Sequence, residues 1–231
     1  MKTRFVYFDL GNVLACFSLE RLLRQVAEVA GCSHDEIKIA FFGDEDNYVQ
    51  KRFERGDIGT DEYYKLVCDR VGKRPAQEAF FNAINDIFWF NERIEPYLTA
   101  LAAMDFPRGI LSNTGPHHWN FCTRSFPIIP EKIPANHILS YEVRELKPNR
   151  GIYEAAVRTA RNVVPDIAPG EILFLDDLQK NVQGALDCGI DAVLYHDQID
   201  LTAVFTERIP GFAAITPEQQ RKSIPPCDQR M

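Results

Sequence analysis

The alternation of short apolar segments with helical segments constrains the second half of this chain most strongly. Helical spacing of apolar residues occurs in segments 97–104, 149–161 and 181–186. Apolar segments of strand length lie at residues 108–111, 138–139, 171–175 and 192–195. Strands that alternate with helices form a parallel sheet with helices on both faces, so this pattern predicts an α/β fold.

The first half of the chain has a different pattern, in which helices follow an initial strand. The apolar segment RFVYF leads into DLGNVL, where Gly11 and Asn12 indicate a turn. Helices are then predicted, the first with Ser18 as its N-cap and Gly31 as its end, at residues 19–30, 33–42, 47–54, 60–71 and 76–88. No strand pattern interrupts this block.

These patterns together predict a three-layer, Rossmann-like parallel sheet with an inserted all-helical cap. We assign residues 1–14 and 93–210 to the core domain, residues 15–92 to the cap and residues 211–231 to a loosely packed tail. The chain crosses between core and cap twice, so the hinges of a cap movement are expected near residues 15–18 and 91–96.

Polar residues follow several of the predicted strands. Asp9 follows the first strand, residues 112–114 (Ser-Asn-Thr) follow another, and Asp176 and Asp177 follow a third. In an open parallel sheet, ligands bind beyond the carboxyl ends of the strands, so these residues are expected to converge. With Lys147, they form a set of carboxylates, hydroxyl and amide donors and an ammonium group that suits phosphoryl transfer.

The order of these motifs resembles that of the haloacid dehalogenase-like hydrolase superfamily. FDLGNVL resembles the first motif, ILSNT the second, LKP the third and FLDDLQKNVQGA the fourth. They span almost the whole chain outside the predicted cap. DLGNV, ERGDI, LSNT with a histidine six residues after its serine, and KP followed by IY are similar to features of small-cap bacterial phosphatases, which include α-D-glucose-1-phosphate phosphatase.

The resemblance implies roles for individual residues. Asp9 would attack phosphorus and form an aspartyl phosphate, and Lys147 would neutralise charge between Asp9 and the phosphate. Asp9, the backbone carbonyl of Gly11 and Asp177 would bind Mg²⁺, with Asp176 beside the ion or acting through water. The phosphate oxygens would be held by residues further along the chain, namely Ser112 and Asn113.

Gly11 departs from the pattern of the superfamily. Most of its phosphatases have an aspartate at this position, two residues after the nucleophile, as general acid and base. Such catalysis contributes ~10²–10⁴ in rate, so another group compensates, the leaving group needs little help, or activity is weak. His118 is a candidate for compensation and for a place in the substrate site. The dehalogenase branch also lacks this aspartate and needs no metal, but the acidic pair 176–177 argues against that branch.

The sequence therefore predicts Mg²⁺-dependent hydrolysis of a small phosphate monoester, with a sugar phosphate as one candidate substrate. Two alternatives stay open: a weakly active or non-catalytic protein that binds a phospho-ligand, and a phosphotransferase whose acceptor is not water. Since an anomeric hydroxyl leaves more readily than an ordinary sugar hydroxyl, sugar 1-phosphates are expected to react faster than the matching 6-phosphates.

Composition narrows the partners of this chain. The net charge of −7 and the lack of a basic stripe disfavour binding to nucleic acid or to an anionic membrane. The partner that the motifs and the resemblance imply is a small phosphorylated metabolite. No apolar run approaches the roughly 20 residues needed to span a bilayer. The six cysteines are scattered without C-x-x-C spacing, which is typical of reduced thiols in a cytoplasmic protein.

Overall fold

The structure is a computed structural model, and it describes residues 2–43 and 49–215. The strands within these ranges are β1 (Phe5–Phe8), β2 (Ala15–Phe17), β3 (Phe88–Phe90), β4 (Arg108–Ser112), β5 (His137–Leu139), β6 (Ile172–Asp176) and β7 (Asp191–Leu194). The helices are α1 (Leu19–Ala30), α2 (His34–Phe42), α3 (Val49–Glu54), α4 (Thr60–Val71), α5 (Gln77–Asn85), α6 (Glu95–Ala103), α7 (Pro116–Ser125), α8 (Ile128–Lys132), α9 (Ser140–Val143), α10 (Arg150–Val163), α11 (Gln179–Asp187) and α12 (Leu201–Arg208).

In the described part of the chain, five strands form a parallel sheet in the order β5-β4-β1-β6-β7. Alternate residues of a strand point to opposite faces, so β1 contributes to two cores. Phe5 and Tyr7 pack with residues of α10 and α11, whereas Val6 and Phe8 pack with residues of α6, α8 and α12. Helices therefore cover both faces of the sheet, which confirms the predicted three-layer α/β architecture.

Helices α1 to α5 pack around a separate apolar cluster. Leu22, Leu23 and Val26 of α1 lie in this cluster with aromatic residues of α2 and α5. The Ser18 side chain accepts a hydrogen bond from the Arg21 backbone N–H, and Gly31 ends α1 in the left-handed conformation with φ of 64°. These are the two ends predicted from the sequence. Positions 47 and 48 of the predicted third helix lie outside the described residues, and α3 is described from Val49.

The region between β1 and α6 is not entirely helical, which corrects the expectation for the cap. Strand β2 pairs antiparallel with β3 where the chain leaves and re-enters the core, and α5 ends at Asn85 rather than at residue 88. Each strand is only three residues long, too short for a periodic pattern to distinguish it from a helix end. The hinge predicted at residues 15–18 coincides with β2, and the one predicted at residues 91–96 directly follows β3. Both hinges and the domain bounds stay predictions.

Two smaller expectations also change. Phe212 and Ile215 are buried in the same core as α6 and α12, so the start of the predicted tail is packed. Four cysteines, residues 32, 68, 122 and 188, have free thiols, but Cys16 is disulfide-bonded, so the expectation of reduced thiols fails there. Within the described ranges, no helix combines the length and the apolar character that crossing a bilayer requires.

Candidate active site

The carboxyl ends of the neighbouring strands β4, β1 and β6 bring the predicted site residues together. Asp9 follows β1, Ser112 ends β4 and Asp176 ends β6. Asp9, Asp176 and Asp177 each offer a carboxylate oxygen, and these atoms all lie within 4.8 Å of one another. The sheet topology therefore gathers positions that are more than 160 residues apart in sequence.

Asp9 is a buried carboxylate with one oxygen held in place. Its Oδ1 accepts a hydrogen bond from the Leu10 backbone N–H at 2.7 Å and lies 2.9 Å from Nζ of Lys147. Burial raises the pKa of Asp9 to about 7, the Lys147 charge opposes the rise, and the charges of Asp176 and Asp177 add to it. No hydrogen bond from the described residues reaches Oδ2, so this oxygen is available to a ligand.

Lys147 is the positive centre of the site, and its side chain is completely buried. Nζ lies 2.9 Å from Asp9 Oδ1 and donates hydrogen bonds to Asp176 Oδ2 at 2.6 Å and to the Leu111 carbonyl at 3.0 Å. Burial alone would lower the pKa of Lys147, but the charges of Asp9 and Asp176 outweigh it and the pKa is raised. The ammonium group therefore stays charged, with all three of its protons directed at fixed acceptors.

Asp176 and Asp177 differ in their surroundings, although they are adjacent in sequence. Asp176 is completely buried, and its oxygens accept hydrogen bonds from Lys147, from the Asn181 side chain and from the Leu178 backbone N–H. Asp177 is partly exposed, and its Oδ2 accepts a hydrogen bond from the Asn12 side chain at 2.9 Å. Asp177 therefore has more capacity for a further ligand than Asp176 has.

The loop after β1 is a tight turn that brings Asn12 to Asp177. Asn12 has a φ of 52°, a left-handed conformation that asparagine tolerates better than most residues, and its N–H donates to the Ala15 carbonyl. Gly11 has no such requirement. A Cβ at Gly11 would lie 3.3 Å from the Phe17 ring, a tight contact with a single side chain. Space beside Gly11 therefore does not exclude a larger residue.

The residues after β4 hold the lysine as well as facing the site. The Asn113 side chain donates to the Lys147 carbonyl at 3.0 Å and accepts from the Lys147 N–H at 2.8 Å. Both polar groups of this amide are therefore used to fix the backbone of Lys147. Ser112 is buried beside it, and the Thr114 N–H donates to the Ser140 hydroxyl.

The two adjacent histidines of α7 point into different surroundings. His117 stacks on the Phe81 ring at 3.8 Å between centroids. His118 lies against Phe88, and its Nε2–H donates to the Ile84 carbonyl at 3.1 Å. Burial lowers the pKa of His118 to about 4. At neutral pH His118 is therefore uncharged, and its single ring proton is held by Ile84.

A cavity of about 250 Å³ opens above the strand ends and reaches the helical region. Gly11 and residues 112–114 line one side of it, and His118 and the α3 residues Gln50 and Glu54 line other parts. Most of the remaining wall is apolar, with contributions from Phe17, Leu19, Leu22, Phe42, Ile87 and Phe88. Sequence analysis missed Gln50 and Glu54 as site residues, although ERGDI, which begins at Glu54, was noted for its resemblance.

Two other cavities differ from this one in the residues that line them. One, of about 540 Å³, borders Asn12 and Asp177 and therefore gives solvent a path to the carboxylates. Another, of about 580 Å³, is lined by residues such as Arg93 and Tyr97 and, unlike the cavity of about 250 Å³, by none of the residues that follow β1 or β4. Its greater size does not make it the site, because the chemically equipped side chains lie elsewhere.

The geometry defines the chemistry available here. A carboxylate with one free oxygen faces a cluster of acidic groups that share a single buried ammonium group. Buried carboxylates in excess of buried cations favour a bound metal ion with oxygen ligands. The same arrangement can present a nucleophilic oxygen to an electrophilic centre that enters from the cavity.

Comparison with known proteins identifies the fold. No family model matches the sequence. A haloacid dehalogenase (HAD) family enzyme from Bacteroides thetaiotaomicron is 22% identical, with 89% of this chain and 99% of that chain covered at a TM-score of 0.75. A structure of the same enzyme in complex with magnesium and inorganic phosphate is 23% identical, with coverage of 88% and 99% and a TM-score of 0.71.

Two further structures share the architecture. A predicted HAD-like family hydrolase from Porphyromonas gingivalis is 20% identical, with 90% of this chain and 98% of that chain covered at a TM-score of 0.72. The L-2-haloacid dehalogenase from Xanthobacter autotrophicus with chloropropionic acid covalently bound is 15% identical, with coverage of 91% and 84% and a TM-score of 0.59. The chain therefore has the haloacid dehalogenase-like fold, as the order of its motifs predicted.

Proposed function

We propose that this protein is a Mg²⁺-dependent phosphatase that hydrolyses a small phosphate monoester through an aspartyl phosphate on Asp9. The observation that carries the proposal is the cluster of Asp9, Asp176 and Asp177 around the buried Lys147 at the strand ends. The magnesium and phosphate complex of the Bacteroides enzyme, which has the same fold, adds support.

The acidic cluster fits a hard divalent cation. Burial raises the pKa of Asp9 and of Asp177, and the neighbouring carboxylates add to the rise, so a bound cation would stabilise their ionised forms. Oxygen ligands suit Mg²⁺, whereas Zn²⁺ prefers cysteine and histidine, and the described cluster contains neither. Asp9, Asp177 and the Gly11 carbonyl would hold the ion, with Asp176 positioning Lys147. When bound, Mg²⁺ would neutralise part of the negative charge of the phosphate and the carboxylates.

In the first step, the free Asp9 oxygen attacks phosphorus, a new O–P bond forms, and the bond from phosphorus to the leaving oxygen breaks. In the second step, a water oxygen attacks phosphorus, Asp9 is released, and phosphate and a proton are formed. A carboxylate and a phosphate charge repel by roughly 4 kcal/mol at 4 Å and an effective dielectric constant of 20. Lys147, 2.9 Å from Asp9, offsets part of this repulsion.

Ser112, the last residue of β4, and Asn113, which follows it, have different tasks in this proposal. Ser112 contributes a hydroxyl group to the phosphate site, as the sequence predicted. Asn113 acts mainly through Lys147, because both polar groups of its side chain bind the Lys147 backbone. In this proposal, Asn113 therefore contacts the phosphate through its backbone N–H rather than through its side chain.

The cavity indicates the kind of leaving group that the site accepts. Its volume of about 250 Å³ and its mainly apolar wall suit a compact group with apolar surface and few hydroxyls. A sugar phosphate remains in the proposal, since Gln50, Glu54 and His118 can bind hydroxyl groups. A panel of aryl phosphates, sugar 1-phosphates and sugar 6-phosphates would rank these classes, and we expect 1-phosphates to react faster than 6-phosphates. We also place the protein in the cytoplasm.

A phospho-ligand-binding protein is the second candidate, because Gly11 stands where an acid is usual. Turnover of 4-nitrophenyl phosphate by the purified protein separates the two. We expect phosphate release that requires Mg²⁺, stops on complete chelation and matches the nitrophenol released. Phosphate binding without turnover would support the second candidate, and nitrophenol in excess of phosphate would indicate transfer to another acceptor.

A further inference from the structure

The position of a missing proton donor can be derived from the geometry of the reaction. Phosphoryl transfer places the attacking and leaving oxygens in line on opposite sides of phosphorus. The attacking oxygen belongs to Asp9, and the next two residues, Leu10 and Gly11, line the cavity of about 250 Å³. We therefore infer that the leaving oxygen points away from the sheet and into this cavity. A donor to this oxygen is therefore expected on the wall formed by the helical region.

Glu54 is the carboxyl group on that wall. Among the described residues that line the cavity, only Glu54 and His118 have acidic or basic side chains. His118 is unsuitable as an acid at neutral pH, because its single proton is donated to the Ile84 carbonyl. Glu54, the last residue of α3, faces the same cavity as Gly11 from the opposite element.

A hydrogen-bonded chain fixes the Glu54 side chain. The Tyr63 hydroxyl donates to Gln50 Oε1 at 2.6 Å, and Gln50 Nε2 donates to Glu54 Oε1 at 2.8 Å. Burial raises the pKa of Tyr63 well above its ordinary value, so its hydroxyl remains a donor. This direction obliges the Gln50 amide to present its NH₂ group to Glu54. Oε1 is therefore an acceptor, and a proton on the carboxyl group would lie on Oε2.

The backbone of Glu54 is fixed to the core beside the phosphate site. The Ser140 hydroxyl donates to the Glu54 carbonyl at 2.6 Å and accepts from the Thr114 N–H at 3.0 Å. The neighbouring Phe53 ring packs against Gly115, where a Cβ would lie 2.6 Å from the ring. Glu54 is therefore held in register with the residues that follow β4, although it belongs to the helical region.

The surroundings of Glu54 favour its protonated form. Burial raises its pKa, and the hydrogen bond from Gln50 and the charges of Lys147 and Lys180 oppose the rise without cancelling it. A general acid is most effective when its pKa lies near the working pH, and burial is a usual means of raising a glutamate toward that value. This electrostatic support adds to the cavity geometry and the hydrogen-bonded chain.

We propose that Glu54 is the general acid and base that replaces the aspartate absent at Gly11. This inference rests on the proposed phosphatase function. As the bond from phosphorus to the leaving oxygen breaks, the Glu54 carboxyl proton moves to that oxygen, which gives a neutral alcohol and a Glu54 carboxylate. In the second step the carboxylate takes a proton from the attacking water, which restores the acid while Asp9 is released.

A series of aryl and alkyl phosphates with Mg²⁺ tests this assignment through the dependence of rate on leaving-group pKa. The rate measured is the release of the leaving group in a single turnover, which reports the first step alone. We expect Glu54→Gln to lose ~10²–10⁴-fold in this rate on poor leaving groups and little on dinitrophenyl phosphate, since such a group needs no proton. Glu28→Gln, at an exposed glutamate of α1, is the matched control and should follow the wild type. If Glu54→Gln does not fold, Glu54→Ala is measured in the same way.

Restoration of an acid at Gly11 gives an independent readout. A Cβ at Gly11 meets only the Phe17 ring, so Gly11→Asp can be accommodated by a small shift of that ring. We expect Gly11→Asp to restore activity toward poor leaving groups in the Glu54→Gln background. Equal losses by Glu54→Gln in the single-turnover release of the leaving group across the series, or no loss, would overturn the role of Glu54 as the acid. Failure of the wild type to hydrolyse any member of the series would instead overturn the proposed function.

Discussion

The two sides of the active-site cavity are built on different principles. On the strand side, Asp9, Lys147 and Asp176 are buried and bound to one another at distances of 2.6 to 2.9 Å. On the helical side, the wall is mainly apolar, and Gln50 and Glu54 form a short polar chain. The strand side therefore carries most of the charged groups, whereas the helical side is a mainly apolar wall whose shape determines what fits against it.

This difference follows from what each side must do. Buried charges are tolerated only when they are paired and hydrogen-bonded, so each charged group on the strand side needs a fixed partner. In the proposed mechanism, the same partners would hold the groups in position before the substrate arrives, and such preorganisation is the main source of electrostatic catalysis. Apolar side chains need no such partners. The residues of the apolar wall can therefore be substituted to fit a different leaving group without any change in the charged groups on the strand side.

Removal of the nucleophile should have the largest effect. Asp9→Asn keeps the shape of the side chain but replaces the attacking oxygen with a poor nucleophile and a neutral metal ligand. We expect a loss of at least ~10³-fold toward every leaving group, measured as steady-state turnover with Mg²⁺. A rate within a factor of ten of the wild type would show that Asp9 is not attacked covalently.

Substitution of Lys147 should have the second-largest effect on the rate. A comparison of alanine and arginine at this position separates the effect of the charge from the effect of side-chain geometry. Lys147→Ala leaves Asp9 and Asp176 without their shared cation, and we expect a loss of about 10²–10³-fold in kcat. Lys147→Arg keeps the charge and should lose less, although its fork does not match three acceptors grouped around one nitrogen. The circular dichroism spectrum and the urea-unfolding midpoint of each variant serve as the control for folding. Equal, mild effects of both substitutions would mean that the charge of Lys147 is not needed for catalysis.

A substitution at the contact between Gly115 on the strand side and Phe53 on the helical side should have a moderate effect on the rate, and this effect should depend on the leaving group. Gly115→Ala would place a Cβ 2.6 Å from the Phe53 ring and displace Glu54 relative to the strand ends. We expect a stability loss of about 1–3 kcal/mol by urea unfolding, and a larger rate loss on poor than on good leaving groups. Gly59→Ala, where a Cβ meets nothing within 4 Å, should leave the rates unchanged. Equal rate losses on all substrates would mean that the contact between Gly115 and the Phe53 ring positions other groups of the site as well as Glu54.

His118 should give the smallest effect, on stability rather than on rate. Its folded-state pKa of about 4 lies below the ordinary value of 6.5, so the unfolded chain binds more protons between these pH values. Stability from this group is therefore complete above about pH 6.5 and declines as the pH falls toward 4. His117 acts in the same direction, whereas the raised pKa of Asp9 acts in the opposite direction.

The test for His118 is urea unfolding of the metal-free protein across this pH range. His118→Asn should flatten the decline by up to ~1.4 kcal/mol per pH unit relative to the wild type, since one titrating group is removed. Identical slopes for the two proteins would mean that His118 is not held neutral by the fold. An unchanged leaving-group dependence in the same variant would agree with Glu54, rather than His118, as the acid.

Much of the strand side could be predicted because it is encoded locally. Asp9, Ser112 and Asp176 each stand where an apolar strand ends, and the parallel topology brings such ends together. The resemblance gave Asp177 the direct contact with Mg²⁺, but the strand pattern alone could not distinguish Asp177 from Asp176, since the difference depends on tertiary contacts. Asn181 and Lys147 occupy the oxygens of Asp176, and the bond from Asn113 to Lys147 joins residues 34 positions apart.

The helical side was less predictable, for physical reasons. Strands β2 and β3 are too short to show a period, and α7 begins with the polar run PHHWN rather than with an apolar stripe. Glu54 begins the segment ERGDI, which resembles a feature of small-cap phosphatases. Its proposed role, however, depends on tertiary contacts, namely its place in the cavity wall and the hydrogen-bonded chain through Gln50 to Tyr63, nine residues later. A lone glutamate at the end of a short helix gives no periodic signal.

The most direct test of the account is to identify the phosphorylated residue during turnover. Protein reacting with dinitrophenyl phosphate and Mg²⁺ is quenched with acid, and its peptides are analysed by mass spectrometry. Glu54→Gln should increase the trapped fraction, because it slows the attack of water on the intermediate. We predict a phosphoryl group on the peptide that contains Asp9, absent in Asp9→Asn. A phosphoryl group on another side chain, or undiminished turnover by Asp9→Asn, would contradict the account.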